Sequence, residues 1–196
     1  MKNRLSIGSV CIAIGILLIG YASILFIQNI NAEEHAQSYS ADMVAQLYQE
    51  IQVVASEPVY RDEYMVYEEV VTIEEKEYLG ILEIPSLGLT LPVQSSWSYS
   101  KLKETPCVYQ TDPLIIAAHN YNAHFGEIGM LELGDQVKFV YATGEVRYFE
   151  LVLVEVLHET SVEEMKSDDF DMTLFTCNLQ DNSERIAVRF IEIYLD

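Results

Sequence analysis

Met172-Thr173-Leu174-Phe175-Thr176-Cys177 is followed by the polar run 178–184 and then by Arg185. The first six residues have the apolar, β-branched and aromatic character of a short strand, and the run after them is a loop. Cys177 stands where the strand ends, so its thiol is supported by a sheet and open to solvent. Upstream, Leu114-Ile115-Ile116-Ala117-Ala118 is a second apolar run, and it delivers His119-Asn120 in the same manner. Working outward, the chain from Leu79 onward alternates short apolar runs with turn signals. Strands are expected at Gly80–Ile84, Leu89–Val93, Cys107–Tyr109, Leu114–Ala118, Gln136–Tyr141, Val146–His158, Met172–Cys177 and Arg185–Tyr194. Val137, Phe139 and Tyr141 share one face, and Thr143-Gly144 fits a hairpin turn. Phe125 to Leu131 reads as one short helix. Eight short strands with few helices imply a closed or nearly closed barrel, because closure removes exposed sheet edges.

The N-terminus has a different texture. Leu5 to Ile27 is uncharged and almost wholly apolar over 23 residues. A bilayer-spanning helix needs about 20 such residues, whereas the apolar core of a cleaved signal peptide is shorter, about 7–15. Asn31-Ala32-Glu33 is a weak cleavage site, and the length favours an uncleaved signal anchor. Lys2 and Arg4 precede the span and no lysine or arginine follows until Arg61. The positive-inside rule then puts 1–4 in the cytoplasm and everything after Gln28 outside. Beyond the span, Met43, Val44, Leu47, Ile51 and Val54 recur at helical spacing, so Ala41 to Ala55 is expected to form an amphipathic stalk helix that packs on the domain. Pro58 ends it. From Glu57 to Tyr78 the chain is an acidic, tyrosine-rich spacer with strand character at Val70 to Ile73.

The chain has 11 basic and 31 acidic residues and a net charge of −20. Two of the basic residues precede the span and no acid precedes Glu33, so the exported part carries nine against 31, or −22. That excludes nucleic-acid binding, which needs a basic surface. The charge serves solubility. Of three cysteines, Cys11 lies in the span, leaving Cys107 and Cys177 in the exported domain. An oxidising compartment permits a disulfide between them, but a nucleophilic Cys177 forbids it. No Cys-x-x-Cys, no zinc-ligand spacing and no EF-hand loop is present, so no metal and no cofactor is expected. A lone cysteine is ordinarily buried and inert. A reactive one needs a neighbouring positive charge, because a thiol of pKa near 8.5 is barely ionised at neutral pH. His119 and Arg185 are the sources of that charge.

Both motifs resemble the sortase family in type, order and spacing. The resemblance rests on Thr173-Leu174-Phe175-Thr176-Cys177, on Ala117-Ala118-His119-Asn120, on His124-Phe125-Gly126, on Leu131-Glu132-Leu133-Gly134-Asp135 between them, and on Arg185 after them. It covers roughly Tyr78 to Asp196. It implies a mainly β fold, an eight-stranded sortase-like barrel with one or two short helices, preceded by the transmembrane helix and stalk. It implies domains at 1–4 (cytoplasmic tip), 5–27 (anchor), 28–77 (stalk and linker) and 78–196 (catalytic). It also implies a membrane-anchored cysteine transpeptidase that cleaves a Leu-Pro-any-Thr-Gly-like sorting signal on surface proteins and transfers the acyl group to a peptidoglycan amine of a Gram-positive cell. Cys177 attacks the carbonyl, His119 moves protons and Arg185 steadies the oxyanion. Thr176 and Asn120 flank and orient the reactive groups. Arg189 shares the face of Arg185 but lies roughly 13 Å further along the strand, and is assigned to structure. His124 is read as structural or helix-capping, and Asp135 as a turn residue.

Two features depart from the family pattern. Asn178 follows the cysteine where many relatives have threonine. No Asp-Pro-aromatic lid precedes the barrel; Asp112-Pro113 is followed by Leu114 inside the domain, which favours protein anchoring over pilus polymerisation. Two alternatives remain: a cysteine hydrolase on the same scaffold, and an inactive surface-binding domain.

Overall fold

A computed structural model describes residues 7–56 and 70–194. Helix α1 (Ile7–Ser56) is followed by β1 (Val71–Ile73), β2 (Lys76–Ile84), β3 (Leu89–Gln94), β4 (Cys107–Thr111), β5 (Leu114–Ala117), β6 (Gln136–Tyr141), β7 (Val146–His158), α2 (Val162–Met165), β8 (Met172–Cys177) and β9 (Glu184–Ile193). All eight expected strands are present, three of them with the bounds read from the sequence. Their neighbours run β2-β3-β4-β5-β8-β9-β7-β6, and β6 pairs back to β2 from Gly80↔Tyr141 to Glu83↔Lys138. The sheet therefore closes into an eight-stranded barrel. The short β1 adds to the start of β2, at Val71↔Tyr78.

Alternation along the strands fills the interior. Leu82, Ile84, Leu91, Val93, Ile116, Phe139, Phe149, Leu174, Val188 and Phe190 form one core. The intervening residues face outward. Register fixes which strand ends share a rim. Tyr78 pairs with Gln94, Gln94 with Cys107, Cys107 with Ala117, Ala117 with Phe175, and Cys177 with Arg185. The β3–β4 loop, the end of β5 and the β8–β9 loop thus lie at one rim. The β4–β5 turn, which holds Asp112-Pro113, lies at the other, beside Thr111↔Leu114.

The span and the stalk helix expected as two elements are one unbroken helix. No glycine or proline occurs between Gly20 and Pro58, so nothing in the sequence interrupts it. Pro58 itself, and the linker tyrosines 60, 64 and 67, lie outside the described residues. The apolar N-terminal part of α1 is exposed, and the helix is long and apolar enough to cross a membrane. Further along, Met43, Leu47 and Ile51 are buried against Ile73, Tyr78, Ile81 and Val140 on the outer wall of the barrel. The expectation that the stripe packs on the domain holds. Tyr39 and Tyr48 reinforce it with hydrogen bonds to Tyr78 Oη (2.9 Å) and Glu83 Oε1 (2.6 Å).

Phe125 to Leu131 is not a helix. It is a tight turn followed by a single 3₁₀ turn at Ile128–Met130. The amides of His124, Phe125 and Gly126 turn back onto the carbonyls of Tyr121, His119 and Tyr121. A Cβ on Gly126 would meet the carbonyl oxygens of Asn120 and Tyr121 at 2.8 Å, so the compact turn requires glycine there. Gly126 and Gly129 also lower the helical propensity of the segment. Gly134, at φ 92, opens the turn into β6, and Asp135 closes it by accepting from the Glu132 amide at 2.8 Å.

Candidate active site

On the outer face of the barrel, three neighbouring strands present residues in matching register. β5 and β8 are parallel, with Ala117 beside Phe175. Two residues further along each chain come His119 and Cys177. β8 and β9 are antiparallel, with Cys177 directly opposite Arg185. Directly opposed residues on one face have Cβ atoms about 4.5–5.5 Å apart. The strand ends are tied together as well: the Ala118 amide donates to the Phe175 carbonyl at 3.2 Å, and Thr176 Oγ1 donates to the Ala118 carbonyl at 2.9 Å. Thr176 therefore points inward and locks the residue before His119 to the residue before Cys177. His119, Thr176, Cys177 and Arg185 line one cleft of about 280 Å³. Asn120 is not among its lining residues. A second concavity of about 290 Å³, between Glu145–Tyr148 and Glu192–Tyr194, contains no cysteine or histidine.

The half-buried His119 ring lies 5.1 Å from the Tyr121 ring, centroid to centroid. Burial, and secondarily the charge of Lys103, hold its pKa below the ordinary imidazole value. It is therefore a neutral base at neutral pH, and of the two expected sources of positive charge beside Cys177 only Arg185 carries one at rest. Arg185 is partly engaged. Its Nη1 donates to the carbonyls of Asn182 and Glu184, both at 2.8 Å, and its Nη2 to Glu159 Oε2 at 3.2 Å. The Glu159 carboxylate is half exposed, so this ion pair is weak and exchangeable. Cys177 is half-buried, whereas Cys107 is fully buried, bonded to the Thr105 carbonyl, and its thiol is pushed up to about 12 by burial. Both cysteines are free.

Arg189 is in a different situation. It is 0 % exposed. It donates to Glu155 Oε1, the Met165 carbonyl, Thr173 Oγ1 and the Glu164 carbonyl, all within 2.9 Å. It pins α2 to the barrel wall.

The sequence reading missed an aromatic lining. Trp97 meets Tyr99 edge-on at 5.4 Å and Tyr109 at 5.9 Å, and Tyr109 meets Phe175 edge-on at 5.7 Å. These rings form a continuous apolar wall that ends two residues from Cys177 on the same face of β8. Only Phe175 carried a local signal, its alternation with the cysteine.

His124 is neither capping nor catalytic in geometry. It is buried, and neither ring nitrogen has a hydrogen-bond partner among the described residues. Burial, then the neighbouring His119, push its pKa down to about 4, while the Glu104 backbone carbonyl pulls the other way. A histidine whose folded pKa is depressed binds its proton more readily in the unfolded chain. Its contribution is intact above about pH 6.5 and is lost as pH falls toward about 4, a cost of about 3 kcal/mol. Urea unfolding at pH 7 and pH 4.5 should show the wild type losing roughly 2–3 kcal/mol more than His124→Leu. Equal losses in the two proteins would mean that His124 is not the acid-labile group.

Residues 82–191 match the family model of the sortase domain, which is more than half of the chain. The chain belongs to the sortase family. Its fold is similar to the X-ray structure of sortase C from Clostridium perfringens SM101, 25% identical, covering 79% of this chain and 91% of that one with a TM-score of 0.53. It is similar also to a Clostridium perfringens sortase D5 transpeptidase, 16% identical over 80% of this chain and 99% of that one, TM-score 0.63. A third is Clostridium perfringens sortase C with the C-terminal cell wall sorting motif, 24% identical over 88% and 100% of the two chains, TM-score 0.55. No curated protein sequence matches the chain significantly. Fold and membership support a general acyl-transfer role of the transpeptidase type, and the apolar helix beside the barrel supports a single-pass membrane topology.

Proposed function

We propose that the protein is a membrane-anchored cysteine transpeptidase that cleaves a sorting signal on surface proteins and joins the acyl fragment to a cell-wall amine. The observation that carries this reading is the shared register of His119, Cys177 and Arg185 on three adjacent strands. Neutral His119 takes the proton of the Cys177 thiol, and the thiolate attacks the scissile carbonyl. The carbon–nitrogen bond breaks as the imidazolium protonates the departing amine, leaving a thioacyl enzyme. An incoming amine gives a proton to His119 and forms the new amide, and the carbon–sulfur bond breaks with return of the proton to sulfur. Arg185 exchanges its exposed Glu159 partner for the oxyanion. Thr176 acts as a positioning residue through its bond to Ala118; Asn120 flanks His119 without lining the cleft. The similar Clostridium perfringens sortase C with the C-terminal cell wall sorting motif lends support to this substrate class.

Lys2 and Arg4 ahead of the apolar segment support an N-terminus inside the cell and a barrel outside. One experiment tests orientation and transfer together. Intact protoplasts are given an impermeant sorting-signal peptide and a glycyl or diaminoacyl peptide at millimolar concentration. The expected product is the amide in the medium, because a positioned amine outcompetes more concentrated water. Processing that appears only after lysis would reverse the orientation. Free acid alone, with every amine of the panel, would favour the hydrolase.

A further inference from the structure

The anchor helix and the barrel run side by side. Tyr39 meets Tyr78 at the start of β2, and Tyr48 meets Glu83 near its end. Nine helical residues rise about 14 Å and five strand residues about 17 Å, so helix and strand point the same way. The Tyr78 end of β2 belongs to the rim that carries His119, Cys177 and Arg185. Followed back toward its apolar part, α1 therefore leaves the barrel past that rim. It touches the rim through Glu33, whose Oε1 accepts from the Asn122 amide at 2.9 Å, three residues after His119. Ile30, exposed and apolar, lies about 4.5 Å back along the helix, and Ile27 about 9 Å. The interfacial layer of a bilayer is about 5–8 Å thick on each side. With α1 in a membrane, the rim stands at headgroup height.

The loop at that rim has matching chemistry. Between β3 and β4 the chain reads Ser95-Ser96-Trp97-Ser98-Tyr99-Ser100-Lys101-Leu102-Lys103 before its one acid, Glu104, whose carboxylate is taken by Lys76 at 2.7 Å. Trp97 is 41% exposed and Tyr99 77%. Lys76, Lys138, Arg147, Arg185 and Arg189 all pair with carboxylates. Among the described residues, Lys101, Lys103 and Lys166 are the cations left without such a partner. Exposed Trp and Tyr favour the membrane interface, and unpaired lysines favour anionic headgroups. The adjacent β8–β9 loop adds the exposed Leu179, and its two acids, Asp181 and Glu184, are turned to Ser183 and Asn178 within the loop, which leaves the lysines of 97–103 as the basic part of the rim.

We infer that the site-bearing rim rests on the anionic lipid surface of the membrane that holds α1, with the 97–103 loop as its contact, so that the Cys177 cleft opens at the bilayer face. Peptide bonds held close to the membrane surface are then in reach, and bonds far out in the wall are not. The inference rests on the anchored reading above.

The chain has a single tryptophan, Trp97, which reports the contact directly. The full chain is reconstituted in phosphatidylglycerol–phosphatidylcholine vesicles, with and without acyl chains brominated near the carbonyl end. Trp97 emission should fall at least two-fold in the brominated vesicles, and Lys101→Glu/Lys103→Glu should restore at least half of the lost emission. Flotation of the same samples tests the anchor separately. Protein that does not float with vesicles would remove the anchored reading and the inference together. Protein that floats with Trp97 unquenched would overturn the inference and leave the anchor standing. Quenching untouched by charge reversal would overturn the anionic headgroups, read by Lys101 and Lys103, as what the loop rests on.

Discussion

Cys177→Ala should abolish cleavage of a sorting peptide and leave the melting temperature nearly unchanged. Removing a catalytic nucleophile of this kind costs on the order of 10⁶ in turnover. The fold should not notice, because Cys177 is half-buried at the end of β8 and its thiol holds no hydrogen bond among the described residues. Cys177→Ser should be almost as poor, since a hydroxyl is far harder for neutral His119 to deprotonate than a thiol. Cys107→Ala is the control. Its thiol is sealed inside the domain and pushed up to about 12, so it offers no thiolate to a substrate. A thiol reagent should accordingly label Cys177 in the folded protein and spare Cys107. Peptide turnover by Cys177→Ala that disappears on adding Cys107→Ala would transfer the nucleophile to Cys107 and sink the assignment.

What the sequence disclosed and what it hid follow one physical line. Local alternation and turn residues delimit β6, β7 and β8 to the residue, because each strand buries one face and is bounded by a turn. The placement of Cys177 and His119 at strand ends was legible for the same reason. The aromatic wall was not. Trp97 reaches Tyr109 only because a parallel crossover brings Gln94 beside Cys107, a long-range pairing that no local pattern encodes. The continuity of α1 was also hidden. Between the apolar span and the stripe at Met43 the helix is polar, and helical periodicity fades although nothing breaks the backbone. His124 looked like a cap because a helix was expected after it. With that helix replaced by a turn closed on Gly126, the imidazole is enclosed instead. That its nitrogens find no partner among the described residues is a tertiary fact that residue type cannot announce.

Arg185→Ala and Arg189→Ala should fail in opposite ways. Both side chains lie on the outer face of β9, and both follow the cysteine closely enough to compete for the oxyanion role. Arg185 lies directly across from Cys177 and lines the cleft. Its Nε has no hydrogen-bond partner among the described residues, and its Glu159 partner is half exposed. Truncating it should lower turnover by roughly 10²–10³, the usual loss for one oxyanion donor, with little change in stability. Arg185→Lys should recover only part of the rate, because an ammonium keeps the charge but not the planar fork of donors. Arg189 has no such freedom. Its loss would leave the Glu155 carboxylate and the carbonyls of Glu164 and Met165 without their donor. Breaking a buried pair of this type costs about 3–5 kcal/mol, which for a domain of this size lowers the melting temperature by roughly 10–20 °C. Well below that temperature, turnover should fall only as far as loosening of α2 disturbs Val162 and Met165 in the cleft wall. Rates and melting curves of the two variants, measured side by side, separate the roles. A rate collapse in Arg189→Ala with a merely unstable Arg185→Ala would exchange them.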